Sequence, residues 1–200
     1  MRDTVVSISQ NGVTNWSIPS SLKSTRLSLR PFQIKDSPQV FRLHSESDVN
    51  EFLERPRMNS ILQAESYINE VHSIVQDGEA FAWAITSLST SDFMGEIYLW
   101  NIYHIDRRAE VSLELLPEYQ NNGLGFEALN TLIEFAFRNL HLHSIEADVD
   151  PANDKAISLL EKCGFKREGY FREINFHQGS FHDRAIYSLI DPYTSTIKEL

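Results

Sequence analysis

The turn Gln120-Asn121-Asn122-Gly123-Leu124-Gly125 sits between a strand-like run at 109–116 and a strongly periodic helix, and it constrains the chain more than any other segment. A Gln-x-x-Gly-x-Gly turn at a strand-to-helix junction presents backbone N–H groups at a helix N-terminus, where a pyrophosphate binds readily. Small residues let a ligand come close to the backbone, and Gly takes conformations that other residues resist. The segment points toward a phosphate-bearing cofactor.

Two hundred residues, 42% of them hydrophobic, can bury one sizeable core. The expected organisation is an N-terminal extension at 1–24, one domain at 25–192 and a short tail at 193–200. No apolar run reaches the length of a membrane span, and residues 1–10 lack the apolar centre of a signal peptide. The single cysteine, Cys163, excludes an internal disulfide framework and suits a reducing cytoplasm. A formal net charge of -10 argues against broad nucleic-acid binding, which needs clustered cations. It suits a cationic partner such as a polyamine or a basic peptide tail, and equally suits ordinary solubility.

Periodicity places the elements around the turn. Residues 1–24 carry an Asn11-Gly12 turn signal within weak alternation (Val5, Ile8, Val13, Trp16), which reads as a hairpin or a loosely ordered arm. Alternation at 26–30 gives a first strand stopped by Pro31, and Asp36-Ser37-Pro38 starts a helix. Ser60 and Gln63 have capping-box spacing and open a helix that ends near Gly78. Strands follow at 81–87, 94–100 and 111–116. In the next helix Leu129, Leu132, Ile133, Ala136, Phe137 and Leu140 form one apolar stripe. A strand at 144–149, a short helix from Asn153 to Cys163 closed by Gly164, and a hairpin at 167–174 and 184–190 around His177-Gln178-Gly179-Ser180 complete the chain. This order predicts an α+β (mixed α/β) fold, a mixed sheet with helices packed on it.

Together these segments resemble the GNAT superfamily of acetyl-CoA-dependent N-acetyltransferases. Within it they are similar to the RimJ/RimL-type branch, which includes ribosomal-protein and spermidine N-acetyltransferases. The likeness runs from about Leu27 to Ile190. Its carriers are Leu29-Arg30-Pro31, Arg107-Arg108-Ala109-Glu110, the run from Pro117-Glu118-Tyr119 through Gly125, and Asn153 followed by Glu161-Lys162-Cys163-Gly164-Phe165 and Lys166-Arg167-Glu168-Gly169. The resemblance implies a central, mostly antiparallel twisted sheet of about six or seven strands, about four helices and a splayed central strand pair. It implies acetyl-CoA as co-substrate and no metal. The pantetheine arm would pair with the backbone of Leu113, Glu114 and Leu115, and Leu115 N–H would stabilise the oxyanion. The pyrophosphate would rest on the amides of Gln120, Asn121, Asn122, Gly123, Leu124, Gly125 and Phe126. Asn153 would hydrogen-bond the arm, and the helix carrying Lys155, Ala156 and Lys162 would flank it.

Direct attack requires a neutral amine. A lysine-like amine with pKa near 10.4 is neutral in only about one part in 2,500 at pH 7, a handicap of roughly 4.6 kcal/mol. An α-amine with pKa near 7.8 loses only about 1 kcal/mol. A base therefore matters for a polyamine and little for a protein N-terminus. The candidates are Glu110, which matches the acidic position of the family segment, with Glu96 and Asp148; a water relay could connect amine and carboxylate. Each is also readable as a solvated strand-face residue or as a cation-binding group. Glu51 and Glu54, between the first two helices, join Glu96 and Glu110 as candidate acceptor contacts. The family's usual thiolate-protonating Tyr and Ser are replaced by Leu160 and Ala156. This predicts a slow enzyme, or a substitute donor such as water, Ser158 or Tyr170, more readily than no enzyme. It also leaves room for a catalytically weak acyl-CoA-binding or regulatory protein.

Other residues read as scaffold first. His141 and His143 flank a turn without sharing a helix face. Cys163 is a small hydrophobe at a helix end. His177 and His182 bracket a hairpin tip near the expected acceptor cleft. Phe52, Trp83 and Trp100 read as core or cleft aromatics. The acceptor is expected to be a protein N-terminal amine or a polyamine-like molecule, with no nucleic acid or membrane as partner and a homo-oligomer as an open possibility. An unrelated α+β interaction module with a fortuitous turn is the remaining alternative.

Overall fold

Apolar alternation on the central strands is two-sided, which buries them between two helical layers. The computed structural model describes residues 21–53, 55–177 and 179–192, and the backbone of 6–10 and 13–18. Asn11, Gly12, Glu54, Gln178 and the tail at 193–200 lie outside the described residues. Strands β1 (Val6–Gln10) and β2 (Val13–Ile18) pair antiparallel as a separate two-stranded sheet.

The main sheet is built from β3 (Leu22–Lys23), β4 (Leu27–Arg30), β5 (Phe81–Ser87), β6 (Phe93–Tyr103), β7 (Arg108–Leu115), β8 (Ser144–Val149), β9 (Lys166–His177) and β10 (Ser180–Ile190). Its eight strands lie in the order β3-β4-β5-β6-β7-β8-β10-β9. The count exceeds the expected six or seven because Leu22 and Lys23 add a short edge against Ser28 and Leu29. Every pair is antiparallel except β7 with β8.

Strand β5 is buried at every position because it faces both layers. Phe81, Trp83 and Ile85 enter the core beneath α3 (Leu124–Arg138) and α4 (Asp154–Lys162). The smaller Ala82 and Ala84 face α1 (Ser37–Ser45) and α2 (Ile61–Gln76), where Ala64, Ile68 and Val71 pack closely. The α3 stripe is as periodicity predicts for Leu129, Leu132, Ala136 and Phe137. Phe135 joins it, its ring edge-on to Trp83 at 5.6 Å, while Ile133 is only partly buried.

The helix ends follow local chemistry. Ser60 Oγ accepts from Gln63 N at 3.4 Å, and Gly164 leaves α4 at φ +92°. Asp36 is not a side-chain cap of α1. Its carboxylate takes a two-pronged bond from Arg30 at 2.7 and 2.8 Å and another from Gln33 N, locking the corner after β4.

Two features position the site. Strands β7 and β8 pair only at Arg108↔Ser144, Ala109↔Ile145 and Glu110↔Glu146 and then part, leaving 111–115 and 147–149 separated. On the other side of β7, Gly95 lies so near the chain that an added Cβ would sit 2.0 Å from Glu114 O. Gly95→Ala must therefore move backbone, and we expect a loss of about 1–3 kcal/mol in urea unfolding at pH 7.

Candidate functional site

The opening between β7 and β8 exposes main-chain groups of known direction. Leu116 N–H donates to Met94 O at 2.9 Å, and Glu114 lies opposite Glu96 in the same register. Antiparallel strands alternate, so the N–H and C=O of Leu113 and Leu115 face away from β6 and into the opening. Gln120 Nε2 holds the Leu115 carbonyl at 2.9 Å, while the N–H groups of Leu113 and Leu115 point toward the gap.

The turn after β7 completes this side. Asn121 takes φ +60° and Gly123 φ +80°, so the amides of the turn curl toward one side before α3 begins. Asn122 Oδ1 accepts from Leu124 N at 3.2 Å. Among the described residues no acceptor meets the amides of Gly125 and Phe126. Arg26 braces the turn from the strand layer, with Nη1 on Asn122 O at 3.2 Å and Nε on Glu127 at 2.6 Å. Burial pushes the Glu127 carboxyl up, but hydrogen bonds from Ser24 and Arg26 outweigh it and hold the group below the usual carboxylate range. Lys155 Nζ lies 3.5 Å from Gln120 Oε1, and Lys162 Nζ lies over the Phe126 ring. Asn153 Oδ1 caps α4 by accepting from Ala156 N at 3.1 Å, which fixes the orientation of its amide. Sequence reasoning missed Arg26, because a lone arginine before a strand carries no motif.

Two predicted carboxylates lie on the opposite face of the sheet. Ala109 and Val111, like Ile145, Ala147 and Val149, point into the core, so Glu110 and Asp148 point away from it. Glu110 accepts from Asn101 Nδ2 at 3.0 Å and lies opposite Trp100, which is 43% exposed. Asp148 pairs with Arg184 at 3.7 Å. On the same strands Arg108 and Glu146 form an ion pair at 2.9 Å. Glu51 lines a surface depression of about 340 Å³ with Ser47, Asp48 and Arg57.

Glu96 is placed differently from the other candidates. It is 1% exposed beneath α1 and α2, with Oε1 at 3.0 Å from both His44 Nε2 and Tyr67 Oη. Tyr67 in turn meets Tyr98 at 2.5 Å. Arg55, from the connection between α1 and α2, forks onto Glu114 and lies 3.7 Å from Glu96. Ligand atoms of His44, Glu96 and Glu114 lie within 4.8 Å of one another, but Arg55 and Tyr67 share those carboxylates, which makes the group a hydrogen-bonded ion cluster. The cluster was illegible in sequence because its members are scattered from 44 to 114 without a common spacing.

The remaining candidates are scaffold or surface. Trp83 is core, and Leu160 is buried on the inner face of α4. Ser158 lies on the exposed side of α4. Tyr170 Oη donates to Asp183, and that bond raises its phenol. His182 lies 3.8 Å from Asp150, and its ring centre is 6.5 Å from that of His177. Cys163 is half-buried, its thiol pushed up to about 11 by burial, which makes it a poor nucleophile.

Burial and the neighbouring Glu96 charge push the Glu114 carboxyl up to about 7, against the opposing pull of Arg55. A carboxyl raised on folding contributes stability that is full below about pH 4.5 and is lost as pH rises through about 7. Glu114→Gln removes this term. The stability difference between wild type and variant, from urea midpoints between pH 4.5 and 7.5, should change by about 1–3 kcal/mol in the variant's favour as pH rises.

Comparison with known proteins places this geometry in a family. Residues 26–166 match the model of the acetyltransferase (GNAT) domain. An uncharacterised N-acetyltransferase of Bacillus subtilis, YoaA, is 30% identical over 171 residues, covering 86% of this chain and 97% of its own. The ribosomal protein uS5 alanine N-acetyltransferase of Escherichia coli is 29% identical over 126 residues, 62% of this chain and 63% of its own. The crystal structure of spermidine N-acetyltransferase from Vibrio cholerae, a complex with CoA and spermine, superposes with a TM-score of 0.74 at 24% identity over 84% of this chain and 96% of that one. By the match over most of its length and by the splayed strand pair, this chain belongs to the GNAT family of acetyltransferases.

Proposed function

We propose that the protein transfers acetyl from acetyl-CoA to a primary amine by direct attack, with both substrates held on the enzyme. The observation that carries this reading is the gap between β7 and β8, into which Leu113 and Leu115 direct their N–H groups. Bound acetyl-CoA supplies an activated thioester. Leu113, Glu114 and Leu115 offer a strand edge to its extended arm, and Leu115 N–H stabilises charge on the carbonyl oxygen. The amides around Gly123, with Gly125 and Phe126, receive the diphosphate, supported by Gln120, Asn121, Asn122, Leu124, Lys155 and Lys162. Asn153 and Ala156 flank the arm from α4.

Glu110 and Asp148 stand on the face where an acceptor approaches the gap. Glu110 is the stronger candidate base because it lies at the point where the two strands separate, beside Trp100. Glu51, beside Asp48 on the connection between α1 and α2, is a further candidate contact for a cationic acceptor, and Glu54 lies outside the described residues. Glu96, expected as a candidate base and acceptor contact, is covered and bonded to His44 and Tyr67, so its role in this reading is to hold those side chains in place. The spermidine N-acetyltransferase and the ribosomal protein uS5 alanine N-acetyltransferase among its relatives support an amine acceptor of the polyamine or the protein class.

A second reading, a catalytically weak acyl-CoA-binding or regulatory protein, is favoured by one observation: Leu160 is committed to the core and Ala156 has no proton to give. Thiol release over a panel of polyamines and peptides, with mass spectrometry of products, separates the two. An acetylated amine supports transfer; tight acetyl-CoA binding with no product from any acceptor supports the second.

Two variants test the assignments. Asp tolerates the left-handed backbone better than most residues, so Gly123→Asp should fold while setting a negative charge against the diphosphate. We expect CoA affinity by calorimetry to fall at least about tenfold, and unchanged affinity would remove the diphosphate from this turn. Glu110→Gln should cut turnover of a high-pKa amine at pH 7 by about 10²–10⁴-fold, while an α-amine loses much less. Equal losses for both would mean that Glu110 does not accept the proton.

A further inference from the structure

The strands that border the gap carry several carboxylates, and most of them are already matched by a basic group. Glu146 takes Arg108 at 2.9 Å, and Asp148 takes Arg184 at 3.7 Å. Asp150, just past β8, lies 3.8 Å from His182 and accepts from Ala152 N at 2.8 Å. On the covered part of β7, Glu114 takes the Arg55 fork. Glu110 differs from all of these: its partner among the described residues is the neutral amide of Asn101, at 3.0 Å.

The strand register produces this difference. Glu110 and Glu146 are direct neighbours across the parallel pair of β7 and β8, where two unneutralised carboxylates would repel. Arg108 precedes Glu110 by two residues on the same face of β7 and reaches diagonally to Glu146, which offsets that repulsion and leaves Glu110 without a basic partner. Its guanidinium also lies over the Tyr103 ring at 3.7 Å, a second contact that holds it there. The Arg184 side chain is only 13% exposed, so it stays beside Asp148. On the other flank of Glu110, Trp100 stands directly opposite in the β6 register and is 43% exposed. A lone carboxylate beside an exposed indole suits one ammonium on an apolar body, since the charge meets both carboxylate and ring while the body lies along the ring.

We propose that the acceptor is a monoamine with an apolar or aromatic body next to its amino group, and that Arg108 and Arg184 set this choice by masking Glu146 and Asp148 from polyamines. A second ammonium on the acceptor finds a guanidinium where an unmasked site would offer a carboxylate. This inference rests on the acetyl-transfer reading above and names its acceptor class.

The test measures thiol release from acetyl-CoA in about 0.15 M salt, so that the net charge of -10 does not by itself favour polycations. Hexylamine and cadaverine form a matched pair of equal length, with a methyl group in one where the other has a second ammonium. Alanyl-phenylalanine amide and alanyl-lysine amide make the same comparison for peptide N-termini. In whichever pair is acetylated, the member with one ammonium should have at least about tenfold higher kcat/KM. Arg184→Gln and Arg108→Gln should each raise the diamine-to-monoamine ratio of kcat/KM at least about fivefold, chiefly through KM. Both amines meet the same protein sample, so a general loss of folded enzyme cancels from this ratio, and CoA calorimetry checks that each variant still binds cofactor. A preference for the diamines, or a ratio that neither variant shifts, would overturn the inference and leave acetyl transfer standing. No acetylated product from any acceptor, with CoA still bound, would remove the transfer reading and this inference with it.

Discussion

A parallel strand pair that stops hydrogen-bonding partway along its length organises the molecule. Strands β7 and β8 are each held on their outer side, by β6 and by β10, so both stay extended after they part. The gap consequently has walls made of intact strands. Its main-chain donors are held in place before any ligand arrives, which is what an oxyanion-stabilising amide needs. Gly95 sets β6 close against β7, Gln120 ties down the Leu115 carbonyl, and Arg26 ties the following turn to Glu127. The wall of the gap thus depends on backbone held from outside it.

On the other face of β7, charge lies under cover. Two carboxylates, Glu96 and Glu114, lie opposite each other in register beneath α1 and α2, with one guanidinium between them. Burying such a group costs several kcal/mol per ion unless partners satisfy it. Arg55, His44 and Tyr67 supply those partners from the helical layer. The cluster fastens the connection between α1 and α2 to the strand that carries the Leu115 amide. The gap and the buried cluster therefore meet on β7.

Much of this fold was legible residue by residue. The α3 stripe, the Ser60 cap, the Gly164 exit and the strand at 144–149 follow from periodicity and local backbone chemistry, and they recur in the structure. Strand ends were less legible. Strands β6, β9 and β10 run past their apolar alternation because cross-strand pairing stabilises polar ends that look like loop in isolation. Asp36 looks like a helix cap, yet Arg30 claims its carboxylate, since an ionic fork outweighs a single amide.

The sequence by itself determined the order of elements from Arg26 onward, the glycine-bearing turn at 120–125 and the family resemblance, because each is written in short-range spacing. Tertiary structure alone decided that Glu96 is covered while Glu110 and Asp148 share an open face. It also decided that Arg26 braces the turn and that β9 is left as an edge. Spacing along a chain reports which side of a strand a residue occupies; only the packing of distant segments sets what covers that side, and hence whether a carboxylate meets solvent, a substrate or another charge.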